Sequence, residues 1–304
     1  MRTFIQEMFF HPKPYHWIAI FLLLPFSFVY GSVMYLRRRF TSLREYDVPI
    51  VSVGNLIVGG SGKTPFVIAL ALRYRDVFVI SRGYGRKSRG LEVVSIHGRV
   101  VADVYTAGDE AMLMALSLPN ASVVVSENRD TAIAFAKDHG ARCVILDDGF
   151  NRVDIAKFDI LLEPCRVENY FTFPAGPFRE FFSTRKKADF IAKENETFIR
   201  KVKIENITPK MVLVTAISNP LRLEPYLPKG VVHKVYYKDH AYFHEDVLKQ
   251  FLKAYGATSI LCTSKDRVEM HGFKLPISEM KLKLEIEKEF ITEIDKYIEG
   301  KQNA

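Results

Sequence analysis

The sequence predicts an α/β protein: a P-loop-type α/β/α domain, a second, smaller α/β/α domain, and an N-terminal membrane-associated helix. Three observations carry this. From Tyr46 onward short β-branched runs alternate with helical stretches, and continuous apolar strands separated by helices imply a parallel sheet covered on both faces. A glycine-rich turn, Gly59-Gly60-Ser61-Gly62-Lys63-Thr64, joins one such strand to an apolar helix. A charge-free apolar run, Trp17 to Leu36, precedes both.

That run has the length a bilayer core requires, about 20 residues. Trp17 stands at one end and Tyr35 near the other, followed by Arg37-Arg38-Arg39 and then Arg44. Boundary aromatics with arginines just beyond mark a membrane anchor whose C-terminal side is cytoplasmic. A buried core helix is a further alternative, against which stand the triple Arg and the lack of amphipathic polar positions. A cleaved signal would place its positive charge before a shorter apolar stretch. An interfacial helix, kinked at Pro25, stays open as an alternative to a spanning one.

The turn after Pro49–Val53 has the architecture of a phosphate-binding loop: strand, glycine-rich turn, helix N-terminus. Glycines let backbone N–H groups curl around a phosphate without a Cβ clash. The candidate nucleotide-binding residues are Ile57, Val58, Gly59, Gly60, Ser61, Gly62, Lys63 and Thr64. Lys63 can reach β- and γ-phosphates, and the Thr64 hydroxyl can ligate Mg²⁺. One position departs from the strict pattern, which wants glycine where Ile57 stands. Pro65 is tolerated because the first helical turn does not use its N–H.

Ligands of parallel sheets bind outside the carboxyl ends of the strands, so strand exits are the places to inspect. Candidate strands are Ile50–Val53, Val77–Ile80, Ser122–Val125 and Arg142–Leu146, with helices over Pro65–Arg73, Asp109–Leu118 and Asp130–Asp138. After Val77–Ile80 come Ser81, Arg82, Gly83, Tyr84, Gly85 and Arg86, a flexible basic segment. After Tyr105–Ala107, read as another strand end, come Gly108, Asp109 and Glu110. After Val144–Leu146 comes Asp147-Asp148-Gly149-Phe150-Asn151, where Asp147 has the form of a carboxylate that holds Mg²⁺.

Phe171–Glu180 is a Pro/Gly loop suited to a lid or substrate rim. Residues 192–210 look like a linker or small β-hairpin. A second α/β pattern follows, with strands Met211–Thr215, Val231–Tyr237 and Ser259–Thr263 and helices Val247–Tyr255 and Glu285–Ile298. The expected division is residues 1–45 as anchor and basic flank, 46–191 as P-loop ATP-binding domain, 192–210 as linker, and 211–304 as a C-terminal α/β domain.

Composition narrows the class further. Cys143, Cys165 and Cys262 stand far apart in no metal-ligand spacing, which argues against zinc and a disulfide framework. A net charge of +8 suits an anionic partner. Aromatics interleaved with Lys and Arg on one strand are absent, so no nucleic acid is expected. The arginines cluster beside the apolar run, which favours anionic lipid. A membrane-tethered switch or transport ATPase is the rival class. Ser264-Lys265-Asp266 has the wrong order for guanine recognition, and no ABC-transporter signature is present.

Taken in order, the Val53–Pro65 loop, Ser81–Arg86, Gly108-Asp109-Glu110, Asp147–Asn151, Pro174–Glu180 and Asp239-His240 resemble the tetraacyldisaccharide 4′-kinase family. The likeness departs at Asn151, where the family more often has Gln, and at Ile57, where it often has Thr. The resemblance implies ATP and Mg²⁺, an anionic acylated glucosamine disaccharide 1-phosphate as acceptor, and inner-membrane lipid as surroundings. It places the catalytic domains on the cytoplasmic side of a bacterial inner membrane. It also implies Asp109 as the base that accepts the sugar hydroxyl's proton, His240 as its partner, and Lys63 on the transferring phosphate. Thr64 and Asp147, with Glu110 as third candidate, would hold Mg²⁺; Arg179 and Glu180 would order the cleft or steady the nucleotide, and Tyr84 and Arg82 would face nucleotide or lipid phosphate.

Overall fold

Apolar β-branched sequence forms buried strands, and the computed structural model describes them within residues 4–303, apart from Gly60, Ser61, Cys165, Arg166 and His240. In chain order the first elements are α1 (Phe4–Phe10), α2 (His16–Phe40), β1 (Ile50–Gly54), α3 (Lys63–Ala71), β2 (Val77–Ser81), β3 (Glu92–Ile96) and β4 (Arg99–Val100). Next come α4 (Val104–Ala107), α5 (Asp109–Ser117), β5 (Ser122–Val125), α6 (Arg129–Asp138), β6 (Cys143–Asp147), β7 (Phe158–Glu163) and β8 (Phe190–Lys193). The rest are β9 (Phe198–Glu205), β10 (Met211–Thr215), β11 (Val231–Tyr236), α7 (Glu245–Ala254), β12 (Ser259–Thr263), α8 (Ser264–Glu269), β13 (Ile277–Ile286) and α9 (Lys288–Gln302). Two compact units share them. One comprises Met1–Lys63, Arg142–Ile199 and Ile286–Ala304; the other comprises Thr64–Ala141 and Arg200–Glu285.

The first unit carries strands in the order β6-β1-β7-β8, all parallel. Every residue of β1 and β6 is buried, as expected for strands covered on both faces. Helix α9 belongs here. Its Phe290 ring lies 4.0 Å from that of Phe190, and the Tyr297 ring 5.4 Å from that of Phe158. Glu285 and Ile286 end β13 rather than begin the helix.

The second unit carries the order β4-β3-β5-β2 and a separate sheet β11-β10-β12-β13-β9. The strands read from the sequence in this unit, β2 and β5, are parallel, whereas β3, which that reading did not include, runs antiparallel to both β4 and β5. The β3–β4 pair is antiparallel because a two-residue turn, His97-Gly98, joins them, with φ of +44° and +79°. Such a turn matches the twist of a tight hairpin. In the second sheet β10 is parallel to β11 and β12, and β12 to β13. Its core gathers Val212, Val214, Leu248, Ile260 and Met270. Tyr105–Ala107, read as a strand end, is instead part of the short helix α4, because the Asp103 carboxylate accepts from the Thr106 N–H at 2.9 Å and caps it.

Helix α2 has its apolar side outward. His16, Ile20, Ser27 and Gly31 are buried, and Arg38 continues the same stripe. Ile18, Leu22, Phe26, Val29 and Val33, at helical spacing on another face, are 58–71% exposed. The stripe docks on the loop after β7. Ser27 Oγ donates to the Thr172 carbonyl at 2.5 Å, Thr172 Oγ1 donates to the Ser27 carbonyl at 2.7 Å, and the Ala175 N–H donates to Ser27 Oγ at 2.9 Å. A Cβ on Gly31 would stand 2.6 Å from the Phe181 ring. Arg38 grips the buried Glu180 with two bonds of 2.8 and 2.9 Å and donates to the Phe150 carbonyl at 3.2 Å. The polar residues of the docked stripe are His16, Ser27 and Arg38; of these only Ser27 lies inside the apolar run, and His16 and Arg38 flank it. Ser27→Ala leaves the buried Ala175 N–H and Thr172 carbonyl without this partner and is expected to cost about 2 kcal/mol, read by urea unfolding.

Candidate active site

In the first unit, β1 delivers the chain into the phosphate loop. Gly54 cannot carry a side chain, because a Cβ would lie 2.4 Å from Phe150 Cβ and 2.8 Å from its backbone nitrogen. Ile57, the departure from the glycine pattern, is buried with Leu56, Phe150, Leu161 and Phe178. The Val58 N–H donates to the Pro177 carbonyl at 2.9 Å, and the Arg179 N–H to the Leu56 carbonyl at 2.7 Å. Ile57 thus anchors the loop's first half to the Phe171–Glu180 segment, a role glycine cannot fill. Gly59 and Gly62 both have positive φ, +96° and +80°, which favours glycine there. Gly60 and Ser61 lie outside the described residues.

Lys63 opens α3, with Thr64 next in its first turn. The Lys63 ammonium lies 3.2 Å from Asn55 Oδ1 and 3.4 Å from Asp148 Oδ1. Arg179 donates to the same Asp148 carboxylate at 3.1 and 3.3 Å. Burial pushes Asp148 up, but Lys63 and Arg179 together more than offset it and hold its carboxyl below the usual range. Asp148 sits at φ +55°, just after Asp147, which ends β6 and is 3% exposed. Glu180 does not join this group; it is bound to Arg38 as described. Asn55 is fully buried, and among the described residues its Nδ2 has no hydrogen-bond partner.

In the second unit, Gly108 has φ +86° and starts α5. The Asp109 carboxylate accepts from the Glu110 N–H at 2.9 Å. Lys265, in the first turn of α8, brings its ammonium within 3.2 Å of Asp109 Oδ2, 3.4 Å of Asp239 Oδ1 and 3.8 Å of Glu110 Oε1. Burial draws the Lys265 ammonium down, and the three carboxylates more than reverse this, raising it above its ordinary value. Asp109, Ala241, Phe243, Lys265 and Glu269 line a small pocket. His240 lies outside the described residues. Tyr84 stands exposed between Gly83 and Gly85, both of positive φ.

These two groups suit phosphoryl transfer. The first offers a helix N-terminus, positive-φ glycines and a lysine beside acidic and amide groups, which fits the tail of a nucleoside triphosphate. Among the described residues no three His, Cys, Asp or Glu side chains cluster as a metal cage. Mg²⁺ on a nucleotide takes most of its ligands from phosphate and water and only one or two from side chains. Asp147, at the end of β6, is a carboxylate of that kind. Sequence reasoning left Asn55, Asp148, Asp239 and Lys265 unassigned. Asp148 had a signal, as the second carboxylate after an apolar strand; Lys265 had only its place at a strand exit.

Fold and site together define a P-loop-type phosphotransferase. A model of the tetraacyldisaccharide-1-P 4′-kinase family matches residues 19–299. The tetraacyldisaccharide 4′-kinase of Helicobacter pylori strain 26695 is 44% identical over 299 residues, covering 98% of this chain and 95% of that protein. The kinase of the same name from Aliarcobacter butzleri is 43% identical over 282 residues, covering 90% of each. A crystal structure of apo-form LpxK from Aquifex aeolicus in complex with ATP superposes with a TM-score of 0.76 at 27% identity, covering 92% of this chain and 99% of that one. This chain belongs to the tetraacyldisaccharide-1-P 4′-kinase family.

Proposed function

We propose that this protein transfers the γ-phosphoryl group of ATP to the 4′-hydroxyl of a tetraacylated glucosamine disaccharide 1-phosphate, a step of lipid A synthesis. The observation that carries the reading is the Lys63–Asp148–Arg179 group at a phosphate loop in a chain of this family. The loop amides and Lys63 hold the β- and γ-phosphates. Asp147 and Thr64, with Glu110 as third candidate, would hold Mg²⁺, which would neutralise charge on the phosphates. Arg179 is tied to Asp148 and steadies that carboxylate beside Lys63.

Asp109 accepts the proton of the 4′-hydroxyl as its oxygen bonds to the γ-phosphorus and the bond to ADP breaks. A sugar hydroxyl is a poor nucleophile at neutral pH, so a positioned base is required. His240 shares that task. The test is direct: the purified protein, ATP and the acylated disaccharide 1-phosphate are combined, and the product is read by mass spectrometry. A bisphosphorylated glycolipid with stoichiometric ADP is expected. ATP hydrolysis without glycolipid phosphorylation would defeat the assignment.

Membrane association follows from α2, which we read as lying in the bilayer surface rather than crossing it. The helix is 25 residues long, about 37 Å at 1.5 Å per residue, and its buried stripe runs from His16 to Arg38. A spanning helix would carry the Thr172–Glu180 loop to the depth of hydrocarbon, where irregular backbone facing lipid does not occur. An interfacial helix buries one apolar face only, and here that face is Ile18, Leu22, Phe26, Val29 and Val33. Leu22→Glu with Phe26→Glu and Val29→Glu is expected to release most of the protein from liposomes of anionic phospholipid in a flotation assay, with the melting temperature unchanged. Full flotation of the triple variant would show that another surface holds the membrane.

A further inference from the structure

Lys265 is the cationic hub of the second unit. Its ammonium carries three donors and meets three carboxylates from two places in the chain: Asp109 and Glu110 at the start of α5, and Asp239 after β11. The lysine's own placement is rigid. Thr263 and Asp266 cap α8 reciprocally, and Asp266 accepts from the Ala216 N–H at 2.8 Å. Both oxygens of Asp109 are therefore engaged, Oδ1 by the Glu110 N–H at 2.9 Å and Oδ2 by Lys265 at 3.2 Å. With both oxygens held, the plane of the carboxylate is set.

We propose that Lys265 is a positioning residue for phosphoryl transfer, which orients the Asp109 carboxylate and tethers the Asp239 segment beside it. This rests on Asp109 acting as the proton acceptor. A base aims a lone pair at one proton, and a misplacement of about 1 Å costs on the order of 100-fold in rate. An ammonium close to a base also weakens it as a base, so this arrangement favours aim over basicity. None of this assigns Lys265 to the nucleotide.

The experiment compares Lys265→Met, Lys265→Arg and Asp109→Asn in the full-length enzyme, measuring kcat, KM for ATP and melting temperature. For Lys265→Met, kcat is expected to fall roughly 10- to 100-fold, with KM for ATP within about twofold and the melting temperature retained. Lys265→Arg is expected to recover part of the rate, because it restores the cation with different reach. Wild-type kcat in Lys265→Met beside an inactive Asp109→Asn would overturn the positioning role alone. A raised KM for ATP at unchanged kcat would overturn it in favour of nucleotide contact. A rate loss that tracks a lowered melting temperature, with no recovery in the arginine variant, would make the cluster a structural ion pair. An active Asp109→Asn would overturn both this role and the base on which it rests.

Discussion

Lys63→Met is expected to lower phosphoryl transfer by about 10³-fold or more while the protein stays folded. The charge that develops on the transferring group has to be neutralised at the moment of transfer, and single cations placed for that purpose are worth about 10³–10⁵ in rate. The substitution keeps the side chain's apolar stem and removes only the ammonium. Its partner Asp148 retains Arg179 at 3.1 Å, so no buried charge is stranded and stability should change by less than about 1 kcal/mol. Steady-state rates with ATP and the acylated disaccharide, beside a thermal melt, check both halves. Near-normal turnover would remove the loop from the active site.

The second large effect concerns Asp109 and His240. If the two act as one proton-accepting unit, Asp109→Ala, His240→Ala and the double variant should each lose about 10²–10⁴-fold in kcat. The double variant should be little worse than either single one, since groups that act together are strongly non-additive. ATP affinity should hold, because neither residue is assigned to the phosphates. Rate losses that multiply in well-folded proteins would reject the unit. Unchanged rates with a lowered melting temperature would reduce Asp109 to a helix-start residue, worth about 1 kcal/mol.

The parts of the fold legible in sequence were those where one face chemistry dominates. Strands β1, β2, β5, β6, β10 and β12 are buried along nearly their whole length, and they read as continuous apolar runs. Strands β9 and β13 show mixed burial, so their charged residues resemble those of a linker. The β3–β4 hairpin was hidden because its turn is His97-Gly98 rather than a common hairpin dipeptide. The phosphate loop was legible because its mechanism demands particular residue types at fixed spacing. Lys265 was not, since its meaning lies in three carboxylates distant along the chain. In helix α2 only the docked stripe was hidden, because Ser27 stands among residues that are apolar on the exposed face as well.

The segment Thr172–Glu180 touches two things at once. Thr172 and Glu180 fasten it to α2, while Phe178 and Pro177 fasten it to Ile57 and Val58 at the front of the phosphate loop. A flexible tether would let a kinase bob above the leaflet and sample many heights. This short brace instead joins the helix to the loop through protein contacts. Under the proposed seating of the outward face of α2 in the leaflet, the phosphate loop would stand at a set height over the headgroups. The depth of a sugar hydroxyl, rather than any contact that reads its acyl chains, would then govern reach.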